Sequence, residues 1–167
     1  MGDLKGVGME KPLVREEEKW VFQKEGEREA LAVLREWLQG DPFLHPPREK
    51  DHGWNPVEGR DGARQFREVW GGWRGKDLLG LVVLDFYPRA SGAELTLVVN
   101  PGFRRRGVGG FLLEKIASMA ESVGLPWLEV SVDQGNTGAR LFFERWGFTS
   151  IRGAAPGKSK LRFRIGG

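Results

Sequence analysis

The segment 98–110, VVNPGFRRRGVGG, holds the residue types best suited to binding a phosphate. It joins an apolar run to an amphipathic one, and three consecutive arginines precede glycines at positions 107, 109 and 110. The first backbone N–H groups of a helix have no partner within the helix, and the aligned peptide dipoles make that end partly positive, so an anion is stabilised there. Because glycines let the backbone approach a pyrophosphate closely, the segment predicts a site for a phosphate-bearing cofactor.

Two other phosphate-binding motifs fit the sequence poorly. A dinucleotide fingerprint needs a third glycine, but the residue three positions after Gly109 is Leu112. The segment 153–159, GAAPGKS, is one residue short of a P-loop, and residues 161–165 after it alternate like a strand instead of opening a helix. We therefore predict a loop that leads into an edge strand.

Composition indicates one folded domain. The chain has 167 residues, of which 40% are hydrophobic and 29% charged, enough for a single core. The absence of cysteine excludes disulfides and thiolate metal sites and fits a reducing compartment. No apolar run approaches the roughly 20 residues of a membrane span, so we expect a cytoplasmic protein without membrane contact. Residues 1–17 lack periodicity and predict a flexible arm before a domain over 18–167.

Apolar periodicity predicts an α/β fold in which early strands form an antiparallel meander and later strands have parallel neighbours. Helices are predicted at 27–39, 61–69, 107–123 and 136–146. Strands are predicted at 19–24, 68–73, 78–87, 94–99, 128–132, 148–152 and 161–165.

Two motifs, in order and correctly spaced, resemble the GNAT superfamily of N-acetyltransferases. The first, Arg/Gln-x-x-Gly-x-Gly/Ala after a Val-x-Pro strand end, is matched by Val99, Pro101, Arg104, Gly107 and Gly109. The second, Asn-x-x-Ala followed by Gly-Phe, is matched by Asn136, Ala139, Gly147 and Phe148. The resemblance extends from about residue 93 to 148, and two linked motifs are far more specific than one glycine turn.

The resemblance implies a mixed sheet flanked by helices, with two strands splayed at the cofactor site, and an enzyme that transfers an acetyl group from acetyl-CoA to a primary amine by direct attack. The cofactor's pantetheine arm contains two amides, which an exposed strand edge can bind through main-chain hydrogen bonds. The implied cofactor-binding residues are Leu97, Val98, Val99, Arg104, Arg105, Arg106, Gly107, Val108, Gly109, Gly110, Asn136 and Phe143. Asn136 could equally cap the helix that begins beside it.

An amine that attacks a thioester must lose a proton, so a carboxylate or water is needed nearby. Glu129 is the first candidate base, because residues 127–130 resemble a strand of ribosomal-protein alanine N-acetyltransferases whose glutamate is the base. Two extra residues separate Glu129 from Asn136 relative to that family. Glu94 and Asp133 are alternatives, and each of the three acids could instead be a solvated strand residue.

Phe143 is a departure from the superfamily pattern. Many relatives have a tyrosine seven residues after the motif asparagine, where it can protonate the departing thiolate. A phenylalanine at this position leaves two hypotheses open: an N-acetyltransferase whose thiolate is assisted by solvent or a main-chain N–H, and a non-catalytic acyl-CoA-binding or regulatory module.

The acceptor amine is expected to be a small molecule or a peptide that enters from the side formed by residues 40–73. We predict no metal site, because His45 and His52 are badly spaced for a metal pair. The net charge of +3 is small and mixed with acids, so nucleic acid is not expected as a partner. Dimerisation is common in the superfamily, which leaves a homodimer open.

Overall fold

A computed structural model describes residues 19–45, 66–87 and 92–166 of the chain. Within these ranges it contains seven strands and three α-helices. The strands are β1 (Val21–Glu25), β2 (Phe66–Arg74), β3 (Asp77–Tyr87), β4 (Gly92–Val99), β5 (Trp127–Asp133), β6 (Thr149–Ile151) and β7 (Lys158–Arg164). The helices are α1 (Glu27–Trp37), α2 (Val108–Ser122) and α3 (Thr137–Arg145).

The described strands form one open sheet in the order β1-β2-β3-β4-β5-β7-β6. The first four are antiparallel, β4 and β5 are parallel, and β7 is antiparallel to both of its neighbours. The predicted mixed α/β sheet with an antiparallel meander is therefore confirmed, although parallel pairing is confined to a single pair among the described strands. No helix in the described part of the chain is both long and apolar enough to cross a membrane.

Two of the predicted elements are wrong, one in its type and one in its position in the sheet. The helix predicted at 61–69 is absent over 66–69, where β2 pairs with β3 from Phe66 opposite Phe86 onward, and 61–65 lie outside the described residues. Pairing with a neighbouring strand overrides the local helix signal. Likewise, the strand after the 153–159 loop is not at an edge, because β7 is inserted between β5 and β6, and the three-residue β6 forms the edge instead.

Helices cover both faces of the sheet because alternate strand residues point to opposite sides. On one face, α2 buries Leu112 and Ile116 against Leu84 and Leu95. On the other face, α1 buries apolar residues spaced three or four positions apart, including Leu31 and Leu34. Each fully buried leucine stabilises the fold by about 1.5–3 kcal/mol. The two cores fix β3 and β4, and thereby the site at the end of β4.

Candidate active site

β4 and β5 separate soon after they meet. Their only paired positions in the described sheet are Ala93 with Leu128 and Glu94 with Glu129. Beyond Glu94, β4 remains paired with β3 as far as Val99 opposite Gly80, so its edge toward β5 is open. Unpaired N–H and C=O groups on such an edge can bind an extended chain that carries amides. The residues predicted to bind pantetheine, at positions 97–99, lie along this open edge.

A tight turn connects the open edge to the start of α2. Asn100 fixes the turn, since its Oδ1 accepts from Gly102 N at 2.9 Å and its Nδ2 donates to the Leu78 carbonyl at 2.8 Å. Gly107, the N-cap of α2, has a φ of +82°, which favours glycine, and no side chain of the described residues caps the helix. The first N–H groups of α2 therefore remain available to a ligand.

The turn also concentrates positive charge. Arg104, Arg105 and Arg106 are all exposed, and the guanidinium of Arg106 lies 5.3 Å from the ring centre of Phe103. Arg105 has a φ of +63°, a left-handed conformation that is uncommon for a residue other than glycine. Because such backbone strain concentrates at functional sites, it supports a ligand-binding role for the turn.

Helix α3 packs directly against the first turn of α2. A Cβ added at Gly109 would lie 3.2 Å from Cζ of Phe142, and one added at Gly110 would lie 2.9 Å from Cζ2 of Trp146. The approach of α3 thus leaves little space for a side chain at either position, a reason for glycine that the sequence did not reveal. That Gly109 and Gly110 also bind a pyrophosphate stays a prediction. Such binding would use their N–H groups, which point along the helix axis and not toward α3.

A row of charged residues crosses five neighbouring strands at the point where β4 and β5 separate. Each member is opposite the next in the strand register, in the order Arg67, Asp85, Glu94, Glu129 and Arg162. This charge row places three carboxylates side by side between two arginines. That these five residues lie side by side was not predicted from the sequence. The signal that could have indicated it is the presence of single charged residues within otherwise apolar strands.

Arginines pair with the two outer carboxylates of the row. Arg67 Nε lies 2.8 Å from Oδ1 of Asp85. Arg162 donates from Nε to Oε2 of Glu129 at 2.8 Å and also contacts it through Nη2, while Lys160 Nζ lies 3.8 Å from Oε1. Glu129 is only 6% exposed. Two cations therefore hold the carboxylate that the sequence favoured as the base.

Neutral hydroxyl groups, and not cations, hold the central carboxylate. Oε1 of Glu94 accepts from the Tyr87 hydroxyl at 3.0 Å, and Oε2 accepts from the Ser131 hydroxyl at 3.1 Å. No ion pair reaches Glu94 from the residues that the structure describes. Burial, together with the negative charge of Glu94 and the hydrogen bond to it, raises the pKa of Tyr87 well above its ordinary value. Tyr87 consequently remains a hydrogen-bond donor across the neutral range.

The remaining predicted residues lie around the end of β5. Asp133 accepts from Gly135 N at 2.9 Å and lies 3.9 Å from Lys158 Nζ, so it stabilises the turn into α3. Asn136 accepts from Ala139 N at 3.2 Å, which confirms its role as the N-cap of α3. Phe143 is 6% exposed and packs in the core, and its hydrocarbon side chain has no proton to donate.

The predicted acceptor side is described only in part, because residues 46–65, which include His52, lie outside the described chain. Phe43 reaches the end of β5, where its Cε1 would lie 3.2 Å from a Cβ added at Gly135. Trp70 stacks on Phe22 with a ring separation of 5.1 Å and so packs against β1. Among the described residues, no group of three or more His, Cys, Asp or Glu residues lies together as a metal site would require.

A model of the acetyltransferase (GNAT) family matches residues 14–148, most of the chain, so the protein belongs to this family. No curated protein matches this sequence. Membership of the GNAT family is thus confirmed, as the two sequence motifs predicted.

Solved structures share the fold at low identity. A mutant form of the spermidine/spermine N-acetyltransferase SpeG from Vibrio cholerae is 16% identical, with a TM-score of 0.65, covering 88% of this chain and 94% of that one. The ribosomal-protein-S18-alanine N-acetyltransferase from Escherichia coli is 17% identical, with a TM-score of 0.64 and coverage of 87% and 94%. An acetyltransferase from Thermus thermophilus is 20% identical, with a TM-score of 0.65 and coverage of 88% and 97%. These similarities show the common fold.

Proposed function

We propose that this protein transfers the acetyl group of acetyl-CoA to a primary amine by direct attack of the amine on the thioester. The observation that supports this most is the continuity of two binding surfaces. The open edge of β4 ends at Val99, and the uncapped first turn of α2 begins at Val108, nine residues later in the chain. A ligand that carries amides at one end and a diphosphate at the other fits this arrangement.

The residues present suit acetyl-CoA. The N–H groups of residues 107–110 would bind the diphosphate, with charge supplied by the arginines at 104–106. The backbone of 97–99 would pair with the pantetheine amides, and Asn136, which caps α3, would border the same opening. Acetyl-CoA, when bound, supplies the activated acyl carbon and a thiol leaving group.

Glu94 is the proposed acceptor of the amine proton. It lies at the last paired position before β4 and β5 separate, and its oxygens are hydrogen-bonded only to hydroxyl groups among the described residues. Glu129 has its lone pairs directed at Arg162 and Lys160, and Asp133 is bound to a backbone N–H and Lys158. These partners favour Glu94 as the base, in place of Glu129, which the sequence had put first.

Phe143 leaves the departing thiolate without a side-chain acid at that position, so we propose that solvent protonates the sulfur. A thiolate is a far better leaving group than an amine, and orientation of two bound reactants can contribute about 7–11 kcal/mol to the rate. Transfer can then proceed without the tyrosine that many relatives carry.

Release of free thiol from acetyl-CoA tests the proposal. The amine panel should include a polyamine and a peptide that begins with alanine, the acceptors named for two structural neighbours. We expect Glu94→Gln to lower kcat by about 10²-fold or more while CoA still binds. Glu129→Gln should lower the stability of the protein, with a smaller effect on kcat when the assay temperature keeps the variant folded. The matched control is Glu144→Gln, an exposed change on α3. Full activity of Glu94→Gln together with loss in Glu129→Gln would assign the base to Glu129.

Phe143 also favours a second candidate function, a non-catalytic acyl-CoA-binding module, because a phenylalanine cannot protonate the departing thiolate. That function predicts tight binding of CoA by calorimetry without release of thiol in the presence of any amine. Turnover with any one amine that falls by about 10²-fold or more in Glu94→Gln excludes it.

A further inference from the structure

Two strands provide the hydroxyl groups that hold Glu94. Tyr87 comes from the end of β3, on one side of β4, and Ser131 comes from β5, on the other side. Each hydroxyl donates to a different oxygen of the carboxylate, at 3.0 and 3.1 Å. The carboxylate is thus fixed from both sides, and the Ser131 bond spans the gap where β4 and β5 stop pairing.

The chemistry of these donors differs from that of the arginines elsewhere in the charge row. Hydrogen bonds from a charged donor are about twice as strong as those between neutral groups, and an arginine also adds a full positive charge that opposes protonation. A hydroxyl orients a carboxylate while leaving it able to take up a proton. Among the three carboxylates of the row, only Glu94 has this environment in the described structure.

We propose that Tyr87 and Ser131 are positioning residues that aim the Glu94 carboxylate and keep it ready to accept a proton from the acceptor amine. The inference rests on the proposed acetyl transfer and goes beyond it by assigning roles to two residues outside the GNAT motifs. The proton passes from the amine nitrogen to a Glu94 oxygen as the new C–N bond forms and the C–S bond of the thioester breaks. The thiolate leaves with the electron pair of that bond and takes a proton from solvent, while both hydroxyl groups keep their own protons.

Other charges around Glu94 set the electrostatic background. Asp85 on β3 and Glu129 on β5 are its direct cross-strand neighbours, and their charges are offset by Arg67 on β2 and by Arg162 and Lys160 on β7. The charges of Glu94, Asp85 and Glu129 also disfavour ionisation of Tyr87, in addition to its burial. Because its pKa is raised, Tyr87 keeps its proton and remains a hydrogen-bond donor to Glu94 at acidic and neutral pH.

The pH profile of kcat/KM for the amine tests the positioning role. Loss of a donor disfavours the charged carboxylate, so Tyr87→Phe and Ser131→Ala should each move the acidic limb to higher pH and lower kcat/KM at neutral pH roughly tenfold. CoA affinity should stay unchanged. Ser122→Ala is the matched control, because that hydroxyl donates to the Met119 carbonyl at the far end of α2. An acidic limb that does not move in either variant overturns the proposal.

A spectroscopic measurement tests the hydrogen bond without any substrate. Tyr87 is the sole tyrosine of the chain, so protein labelled with ¹³Cζ-tyrosine gives a single resonance. In the wild type, this resonance should shift as Glu94 takes up a proton in acid, and Glu94→Gln should abolish the shift in a folded protein. A shift that persists in Glu94→Gln overturns the inference. Failure of the proposed function can be distinguished from failure of this inference. The first would appear as absence of wild-type turnover with every amine, whereas the resonance is measured in the free protein.

Discussion

At the scale of residues, the properties of the site depend on which partner each carboxylate receives. Asp85, Glu94 and Glu129 are neighbours across three strands, and like charges directly opposite each other destabilise a sheet. Arginines at both ends of the charge row offset the outer two, which leaves the central carboxylate with neutral donors. Glu94, whose described partners are neutral hydroxyl groups, is therefore the carboxylate proposed to accept the amine proton.

The stability of the protein at alkaline pH should depend on the raised pKa of Tyr87. Its folded-state pKa is raised, so the folded protein binds the phenol proton more tightly than the unfolded chain does. The resulting stabilisation is fully present below the unfolded pKa of about 10 and is lost as pH rises above it. Urea denaturation should show a shallower alkaline decline in the free energy of unfolding for Tyr87→Phe than for the wild type. Parallel declines would show that the phenol does not have this environment.

At the scale of elements, the site depends on how closely α2 approaches the sheet. A Cβ added at Gly80 of β3 would lie 2.7 Å from Cδ1 of Leu112 and 2.9 Å from the Val98 carbonyl oxygen. The second contact is with backbone, which cannot rotate away. The close fit sets the position of the first turn of α2 relative to the open edge of β4.

Gly80→Ala should therefore destabilise the protein by about 1–3 kcal/mol in urea denaturation, since overpacking forces backbone or side chains to shift. Gly138→Ala in α3 is the matched control, because an added Cβ meets nothing within 4 Å there. In a helix the same change should stabilise by up to about 1 kcal/mol. Equal effects of the two substitutions would contradict the close packing of α2 on β3.

Sequence periodicity predicted most elements because their signals are local. The helix at 107–123 and the N-cap at Asn136 need only neighbouring residues, and the structure confirms both with small shifts at their ends. The charge row, in contrast, depends on strand register, which links residues far apart in the chain. Tyr87 and Ser131 are 7 and 37 positions from Glu94, so no local pattern brings them together. The misplaced edge strand has the same cause, since alternation identifies a strand but not its neighbours.

At the scale of the whole molecule, the two faces of the sheet have different roles. α2 covers one face, and its N-terminus is the proposed diphosphate site, whereas the charge row lies on the face that α1 covers in part. The gap between β4 and β5 connects them, because a chain laid along the open β4 edge passes between these strands. In the proposed reaction, acetyl-CoA bound along this edge and an amine arriving on the face of the charge row would meet at the gap, which is the arrangement that direct transfer requires.

Calorimetric titration with CoA and with pantetheine tests the central claim, that the turn before α2 binds the diphosphate of the acetyl donor. Arg105→Gly is the informative variant, because glycine adopts the φ of +63° without strain and the turn is kept while a charge is removed. Arg152→Ala, an exposed arginine outside the turn, is the control. We predict that the wild type binds CoA more tightly than pantetheine, and that Arg105→Gly weakens CoA binding roughly tenfold, or about 1.4 kcal/mol, without changing pantetheine binding. Equal affinities of the wild type for CoA and pantetheine would contradict the account.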